Sequence, residues 1–318
     1  MSGRVTILTG GVGGAKLALG LCHAMRAEDV TAIVNTGDDF THLGLAISPD
    51  IDTLLYTLSG KANSVQGWGR ADESWSFMEA VRSLGGEDWF ALGDGDLALH
   101  VLRTQRLRQG DTLSAIIRDF AAAWRIPARI LPMSDDPVAT RVLTPEGELD
   151  FQHYFVKRRC APAVQAIHFD GAQAARAAPG VIEALRDEQS RAILIAPSNP
   201  FLSVDPILAI PSIREALLQT RVPVVAVSPL VAGDAVKGPT AKIMRELELE
   251  ISAATVSRHY GDLLDGMLID ARDPPTTLDL RHARTDTLMK TLDDRIRVAR
   301  AALDLADSLR RTGSGELR

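Results

Sequence analysis

The sequence predicts an α/β fold with a mainly parallel sheet and a largely helical insertion, on three observations. The chain opens strand, glycine-rich turn, helix, strand: the β-prone run Val5 to Leu8, a glycine cluster, the helix-forming stretch Lys16 to Met25, then Val30 to Val34. A β-α-β opening of this kind builds parallel sheets. Two further apolar runs, Ala192 to Ile195 and Val222 to Val227, are bounded by proline-rich turns and separated by a helical segment around Ile213 to Gln219. Between them, roughly 60–160 breaks the β-α rhythm with mostly helical segments and acidic turns.

That interruption carries Trp68, Trp75, Trp89 and Trp124, all four tryptophans of the chain. It reads as an insertion or cap over 61–159, leaving 1–60 and 160–318 as the core. Asp150 to Val156 is compatible with a returning strand. From Thr285 to Leu309 the composition is helical, with Leu288, Leu292, Ile296 and Ala299 on one face.

With 318 residues, 46% hydrophobic and 24% charged, the chain is long and apolar enough for a full core. The formal net charge of -6 offers no broad cationic footprint, which argues against a nucleic-acid partner. No apolar run approaches the about 20 residues that span a bilayer, and no signal-peptide pattern opens the chain. A soluble, cytoplasmic protein without a membrane partner is expected. The two cysteines, Cys22 and Cys160, lack metal-ligand spacing and read as structural thiols.

The strongest chemical signal is Gly10-Gly11-Val12-Gly13-Gly14-Ala15-Lys16, directly after the first strand. Glycines here let backbone N–H groups approach phosphate oxygens, and the following helix N-terminus favours an anion. Lys16 is a plausible phosphate partner. The segment is not a P-loop, because Leu17 follows Lys16 where Ser or Thr is required. Nor is it a clean dinucleotide fingerprint, since a lysine replaces the third glycine and the second strand ends at Asn35 instead of an acid. A turn needed only for folding is the alternative.

Asn35-Thr36-Gly37-Asp38-Asp39 should sit at a strand's carboxyl end, where open parallel sheets gather ligands. Nearby, Asp50 and Asp52 are spaced i and i+2, so both serve one site only from a turn or helix start. Hard carboxylate oxygens beside a phosphate loop suggest Mg²⁺. Asp52 and Asp39 are the candidate ligands, and Asp52, Asp39 and Asp50 the candidate catalytic carboxylates. Ordinary turn and N-cap chemistry is the alternative for each.

Further candidates are Asp94, Asp96 and His100, with Arg103 near the same helical face. Asp96 also suits a helix cap. Ser134 and Asp135 lie in a polar turn, and Ser198 and Asn199 follow the buried strand Ala192 to Ile195. Ser228-Pro229 repeats that strand ending before Lys237-Gly238-Pro239.

Taken in order, these segments resemble the 2-phospho-L-lactate transferase family across nearly the whole chain. Gly67-Trp68-Gly69 and Arg284 to Met289 add to the likeness. The resemblance implies a Rossmann-like three-layer core, a deazaflavin pocket to which the insertion contributes, a guanosine-diphosphate site, divalent-metal dependence and a homodimer. It also implies a reaction in coenzyme F420 biosynthesis. The terminal ribityl hydroxyl of 7,8-didemethyl-8-hydroxy-5-deazariboflavin (Fo) attacks the phosphorus next to a three-carbon acid in a guanylylated donor, releasing GMP. The acid is phospholactate, phosphoenolpyruvate or phosphoglycerate. One departure stands out: the family commonly reads Gly-Asp-Arg-Asp where this chain has Gly93-Asp94-Gly95-Asp96. A cation is missing there, for which Arg103 and Lys61 are the candidate substitutes. Two rival readings are an NAD(P)-dependent oxidoreductase and a non-catalytic nucleotide-sugar-binding regulator of the gluconeogenesis-factor type.

Overall fold

The computed structural model describes residues 3–63, 68–236 and 238–313, so Gly67 and Lys237 lie outside the described residues. Along the chain, β1 (Val5–Thr9), α1 (Gly11–Ala24) and β2 (Val30–Val34) are followed by the hairpin β3 (Phe40–His42) and β4 (Leu45–Ile47). Four helices come next: α2 (Pro49–Leu58), α3 (Ser76–Ser83), α4 (Asp94–Arg108) and α5 (Leu113–Ala123). Then come β5 (Arg129–Pro132), β6 (Ala139–Thr144), β7 (Gly147–Asp150) and β8 (Ala166–Asp170). The rest of the chain returns to alternation, with β9 (Ala192–Ile195), β10 (Val224–Val227), the short hairpin β11 (Leu230–Val231) and β12 (Asp234–Ala235), β13 (Gly266–Asp270) and β14 (Arg281–Thr285). A long helix, Leu292–Gly313, closes the described chain.

Seven strands form the central sheet in the order β14-β13-β10-β9-β1-β2-β5, every neighbour parallel. The register pairs Val5 with Val30 and with Ala192, so β1 is central. Its residues are buried throughout, as are those of β9, β10 and β13, because helices cover both faces. Alternation sorts the side chains into two cores. Val5, Ile7, Leu194 and Val225 pack with α1, α2, α5 and the C-terminal helix. Leu8, Ile33, Ile195 and Ala226 pack on the other face with helical residues such as Val181, Ile213, Met244 and Val256. The expected three-layer α/β architecture is what the chain adopts.

Several local expectations differ from the structure. The stretch expected as one insertion, 61–159, is divided: β5 pairs with β2 and forms an edge of the central sheet. The antiparallel sheet β7-β6-β8 crosses the expected boundary at 160. Asp150 to Val156 is not a strand, since β7 ends at Asp150 and a wide helical turn runs His153–Lys157. The closing helix starts at Leu292, seven residues into the range read as helix, whose first residue, Thr285, ends the edge strand β14. That strand, Arg-His-Ala-Arg-Thr, is largely exposed and lacks the apolar alternation that marks a half-buried strand.

A cavity at the carboxyl ends of the strands

The turns that follow β1, β2, β9 and β10 converge on one cavity of about 1000 Å³. Ligands of open parallel sheets collect at this end. Gly10, Gly11, Gly13, Lys16, Asp38, Asp50, Asp52, Asp96, His100, Ser198 and Asn199 all line it. Sequence segments as distant as Gly10 and Asn199 therefore meet in one place.

Helix α1 begins at Gly11, inside the glycine cluster, five residues before the composition predicted. Gly11 has φ +62°, a conformation that glycine adopts without steric cost. Gly10 precedes the helix and supplies no side-chain cap. The Gly11 N–H instead donates to Asp50 Oδ1 at 2.6 Å. Ser198 ties the loop to the β9 turn, its hydroxyl accepting from Gly10 N (3.2 Å) and donating to Gly10 O (2.7 Å). Gly13 and Gly14 allow close packing: a Cβ on Gly13 would lie 2.6 Å from the Pro197 carbonyl oxygen, and one on Gly14 2.8 Å from Ser198 Oγ. Gly14 is thus a packing residue behind the cavity.

Asp50 and Asp52 occupy the first turn of α2, the placement that lets both face one site. Asn35, buried behind the cavity, donates its amide to Asp38 Oδ1 and Asp50 Oδ2, each at 3.0 Å, and accepts from Gly37 N at 2.7 Å. It organises the carboxylates. Ser48 Oγ donates to Asp39 Oδ2 at 2.7 Å, while Asp39 Oδ1 is buried with no hydrogen-bond partner. Desolvation drives all three acids toward their neutral forms. It pushes Asp38 well above the usual range with help from the Asp50 and Asp39 charges. Asp39 is raised well above as well, again by burial first. Burial lifts Asp50 to about 6 against the opposing bonds from Asn35 and Gly11.

Asp52 is placed differently from its neighbours. Arg103 grips it through both terminal nitrogens, Nη1 at 3.1 Å from Oδ2 and Nη2 in a shorter contact with Oδ1. Both oxygens of the expected metal ligand are therefore engaged by a guanidinium. Arg103 comes from α4, where Asp96, His100 and Arg103 follow one helical face at i, i+4 and i+7. Asp96 does not cap the helix; Gly93 is the capping position. Its Oδ1 instead receives the Tyr56 hydroxyl and lies 3.2 Å from His100 Nε2. Burial pushes Asp96 up, but the bonds from His100 and Tyr56 outweigh it and hold the carboxyl below its usual range.

Three candidates lie elsewhere. Asp94 accepts from Ser76 N, Phe77 N and Ser74 Oγ at the start of α3, a structural tie. Ser134 bonds the Arg176 carbonyl and Asp136 N, and Asp135 holds Ser114 N and Oγ beside α5. None of the three lines the cavity. Residues not singled out from the sequence line it instead, Tyr56, Gln152, Lys157, Arg159 and Lys290, and Thr287 to Met289 join them from the run Arg284 to Met289 that adds to the family likeness. The missing cation at Gly95 is not replaced by the expected residues. Arg103 is committed to Asp52, and Lys61 Nζ stands 5.6 Å from the Trp124 ring centroid. The guanidinium of Arg70 fills that volume.

Aromatic side chains form another part of the lining. Trp68, Trp89, Phe90, Phe151 and Phe155 line the cavity, with Phe151 and Phe155 stacked at 5.3 Å and Lys157 Nζ 5.5 Å from the Trp89 centroid. A glycine loop at a helix start, buried acids and aromatic side chains lining one cavity at the ligand-bearing end of a parallel sheet are the site of an α/β enzyme. No helix among the described residues is long and apolar enough to cross a membrane.

Comparison with known proteins refines that class. The family model described as 2-phospho-L-lactate transferase CofD matches residues 5–306, and the chain belongs to this transferase family of coenzyme F420 biosynthesis. A phosphoenolpyruvate transferase of Streptomyces griseus is 44% identical over 318 residues, covering 96% of this chain and 99% of that protein. Phosphoenolpyruvate transferases of Streptomyces coelicolor and Thermobifida fusca are 42% and 40% identical, each with 96% of this chain and 99% of the relative covered. A solved UPF0052-family structure from Bacillus halodurans superimposes with a TM-score of 0.62 at 17% identity, covering 95% of this chain and 99% of that one. At that identity the likeness concerns the fold. Family membership removes the oxidoreductase reading.

Proposed function

We propose that the protein transfers a phospho-three-carbon-acid group from its guanosine-diphosphate-linked donor to the terminal ribityl hydroxyl of Fo, releasing GMP. Among the three acids, enolpyruvyl phosphate is the proposed group, supported by the phosphoenolpyruvate transferases that are 40–44% identical to this chain. The observation that carries the reading is the meeting of the glycine loop, the buried acids and the aromatic wall in one cavity.

In this reading the donor's diphosphate lies against the first turn of α1, where the amides after Gly11 and the helix dipole favour an anion. Ser198 and Asn199 face the guanylyl portion, and the deazaflavin ring lies on the aromatic wall. Asp50, lifted to about 6 and exposed to the cavity, accepts the hydroxyl proton as the oxygen bonds phosphorus and the bond to the GMP leaving group breaks. A base with a pKa near the working pH suits that task. The chain then contributes positioning and electrostatics instead of a covalent nucleophile.

The acids also suit a hard divalent cation. Asp38, Asp39 and Asp50 carry more negative charge than their surroundings solvate, and Asp39 Oδ1 is a buried acceptor without a hydrogen bond. Asp38 and Asp39 are the proposed Mg²⁺ ligands; Asp52, expected in that role, is occupied by Arg103. Mg²⁺ bound there would offset the charge of the diphosphate. The test is to incubate the protein with Fo, Mg²⁺ and each guanylylated acid and weigh the products. A mass for Fo plus the enolpyruvyl phosphate group, with GMP, is expected; no Fo adduct with any of the three donors would refute the function.

A further inference from the structure

The wide helical turn His153–Lys157 runs out into three successive cations, Lys157, Arg158 and Arg159. The first two are paired: Lys157 Nζ lies 3.4 Å from Glu87 Oε1, and Arg158 Nη2 donates to Glu146 Oε2 at 2.6 Å. Arg159 makes no ion pair or side-chain hydrogen bond among the described residues, yet it lines the cavity, as Arg158 does not.

Its backbone is unusual as well. Arg159 has φ +50° and Cys160 φ +55°, two consecutive left-handed residues, neither of them glycine. The surroundings impose this shape. The Arg158 N–H donates to the His153 carbonyl at 2.8 Å and the Cys160 N–H to the Tyr154 carbonyl at 2.9 Å, with Tyr154 itself buried in the core. Just beyond, Lys242 Nζ donates to the Pro162 carbonyl at 2.9 Å. Strain of this kind collects at ligand-binding positions. Glycine at 159 would take the same turn without steric cost, so the turn itself gives no reason for an arginine. All five guanidinium donors remain uncommitted, in a planar fork that matches a carboxylate or a phosphate. Asp38 and Asp50 line the same cavity, and an anionic substrate sharing it with those acids requires a cation in the lining.

We propose that Arg159 is a substrate-binding residue that takes an anionic oxygen group of the donor, either the carboxylate of its three-carbon acid or an oxygen of its diphosphate. This inference rests on the function proposed above. The strained turn presents the guanidinium to the cavity beside Phe155, and stability is given up for binding at this position.

The experiment compares wild type with Arg159→Gly, Arg159→Gln and Arg159→Lys, with circular dichroism to verify folding. Wild-type turnover of enolpyruvyl-diphosphoguanosine with Fo tests the proposed function by itself. Calorimetric affinities for that donor, for GDP and for Fo test Arg159 whether or not turnover occurs. Loss of a charge-assisted hydrogen bond should weaken the donor by about tenfold or more in Arg159→Gly and Arg159→Gln, while Fo changes less than about twofold. Arg159→Lys should fall between. GDP, which lacks the acid, locates the contact: weakening confined to the donor assigns it to the carboxylate, and equal weakening of GDP assigns it to the diphosphate. In urea titrations Arg159→Gly should be at least as stable as wild type, because glycine relieves the left-handed strain. Donor affinity within about twofold of wild type in Arg159→Gln, or equal weakening of donor and Fo, would overturn the proposal. So would a donor defect seen only in Arg159→Gly and accompanied by lost stability, since that pattern marks a scaffold residue.

Discussion

Arg103 clamps Asp52 in a place that solvent barely reaches, their side chains 0% and 6% exposed. A buried pair is costly to break, because the partner left behind keeps its charge without compensation. Arg103→Met should lower the unfolding free energy by about 3–5 kcal/mol in urea titrations. Asp52→Asn should also be clearly destabilised, beyond the mild effect expected if the residue were only a catalytic carboxylate. The double variant Arg103→Met/Asp52→Leu replaces both charges with apolar groups and should recover most of the loss. Stability equal to wild type in both single variants would show that the clamp does not form in solution.

The three remaining acids give stability a pH dependence of definite sign. Asp50 titrates at about 6 in the fold, against about 3.9 in an unfolded chain. The folded state therefore holds the proton more tightly. Its contribution is fully present below the unfolded pKa and lost as pH rises through about 6. Asp38 and Asp39, raised in the same direction, add to it. In chelator, the melting temperature should rise as pH is lowered from about 7.5 to about 5.5. Saturating Mg²⁺ at the higher pH should produce a comparable rise. Asp38→Asn should melt higher than wild type in chelator and lose the response to Mg²⁺. A wild-type melting temperature indifferent to both pH and Mg²⁺ would contradict the charge excess.

The glycine loop separates two effects that the sequence alone merges. Gly13→Val would force a side chain against the Pro197 carbonyl, where even a Cβ comes within 2.6 Å. Overpacking of that kind costs about 1–3 kcal/mol, so thermal stability and donor affinity should fall together. At Gly11 a Cβ meets nothing nearer than Asp50 Oδ1 at 3.9 Å, but φ is +62°. Gly11→Ala should cost about 1–2 kcal/mol in denaturant titrations through backbone strain alone. Unchanged melting in Gly13→Val would mean that the loop and the β9 turn are not packed as described.

The buried runs of β1, β2 and β9 were legible because both faces are covered and most of their residues are apolar, threonine being the one polar type among them. The exposed strand β14 carries no such signature. Asp50 and Asp52 were correctly confined to a helix start by their spacing, yet their different fates depend on partners 39 and 51 residues away. Spacing fixes which side chains share a face and says little about which distant group will meet them. Asp94, Ser134 and Asp135 illustrate the converse. Polar turn residues often satisfy nearby backbone amides, and these three bind local helix starts or turns outside the cavity.

Asn199 offers the sharpest separation of scaffold from recognition. Its Oδ1 accepts from Phe201 N at 3.0 Å and Leu202 N at 3.2 Å, capping the turn after β9. Its Nδ2 is buried with no hydrogen-bond partner, although the residue lines the cavity. An unsatisfied buried donor is costly, so a ligand acceptor that completes it gains more than one bonding a solvated group. Asn199→Asp keeps both capping bonds and removes the donor. Asn199→Ala removes the cap as well. The aspartate variant should stay within about 1 kcal/mol of wild-type stability while its KM for the guanylyl donor rises about tenfold or more, with the KM for Fo little changed. The alanine variant should show the same donor defect plus about 0.5–2 kcal/mol of lost stability. Steady-state kinetics with each substrate varied in turn, set beside urea titrations, distinguishes the two roles. A donor KM unaffected in Asn199→Asp would leave Asn199 as a cap and remove it from nucleotide binding.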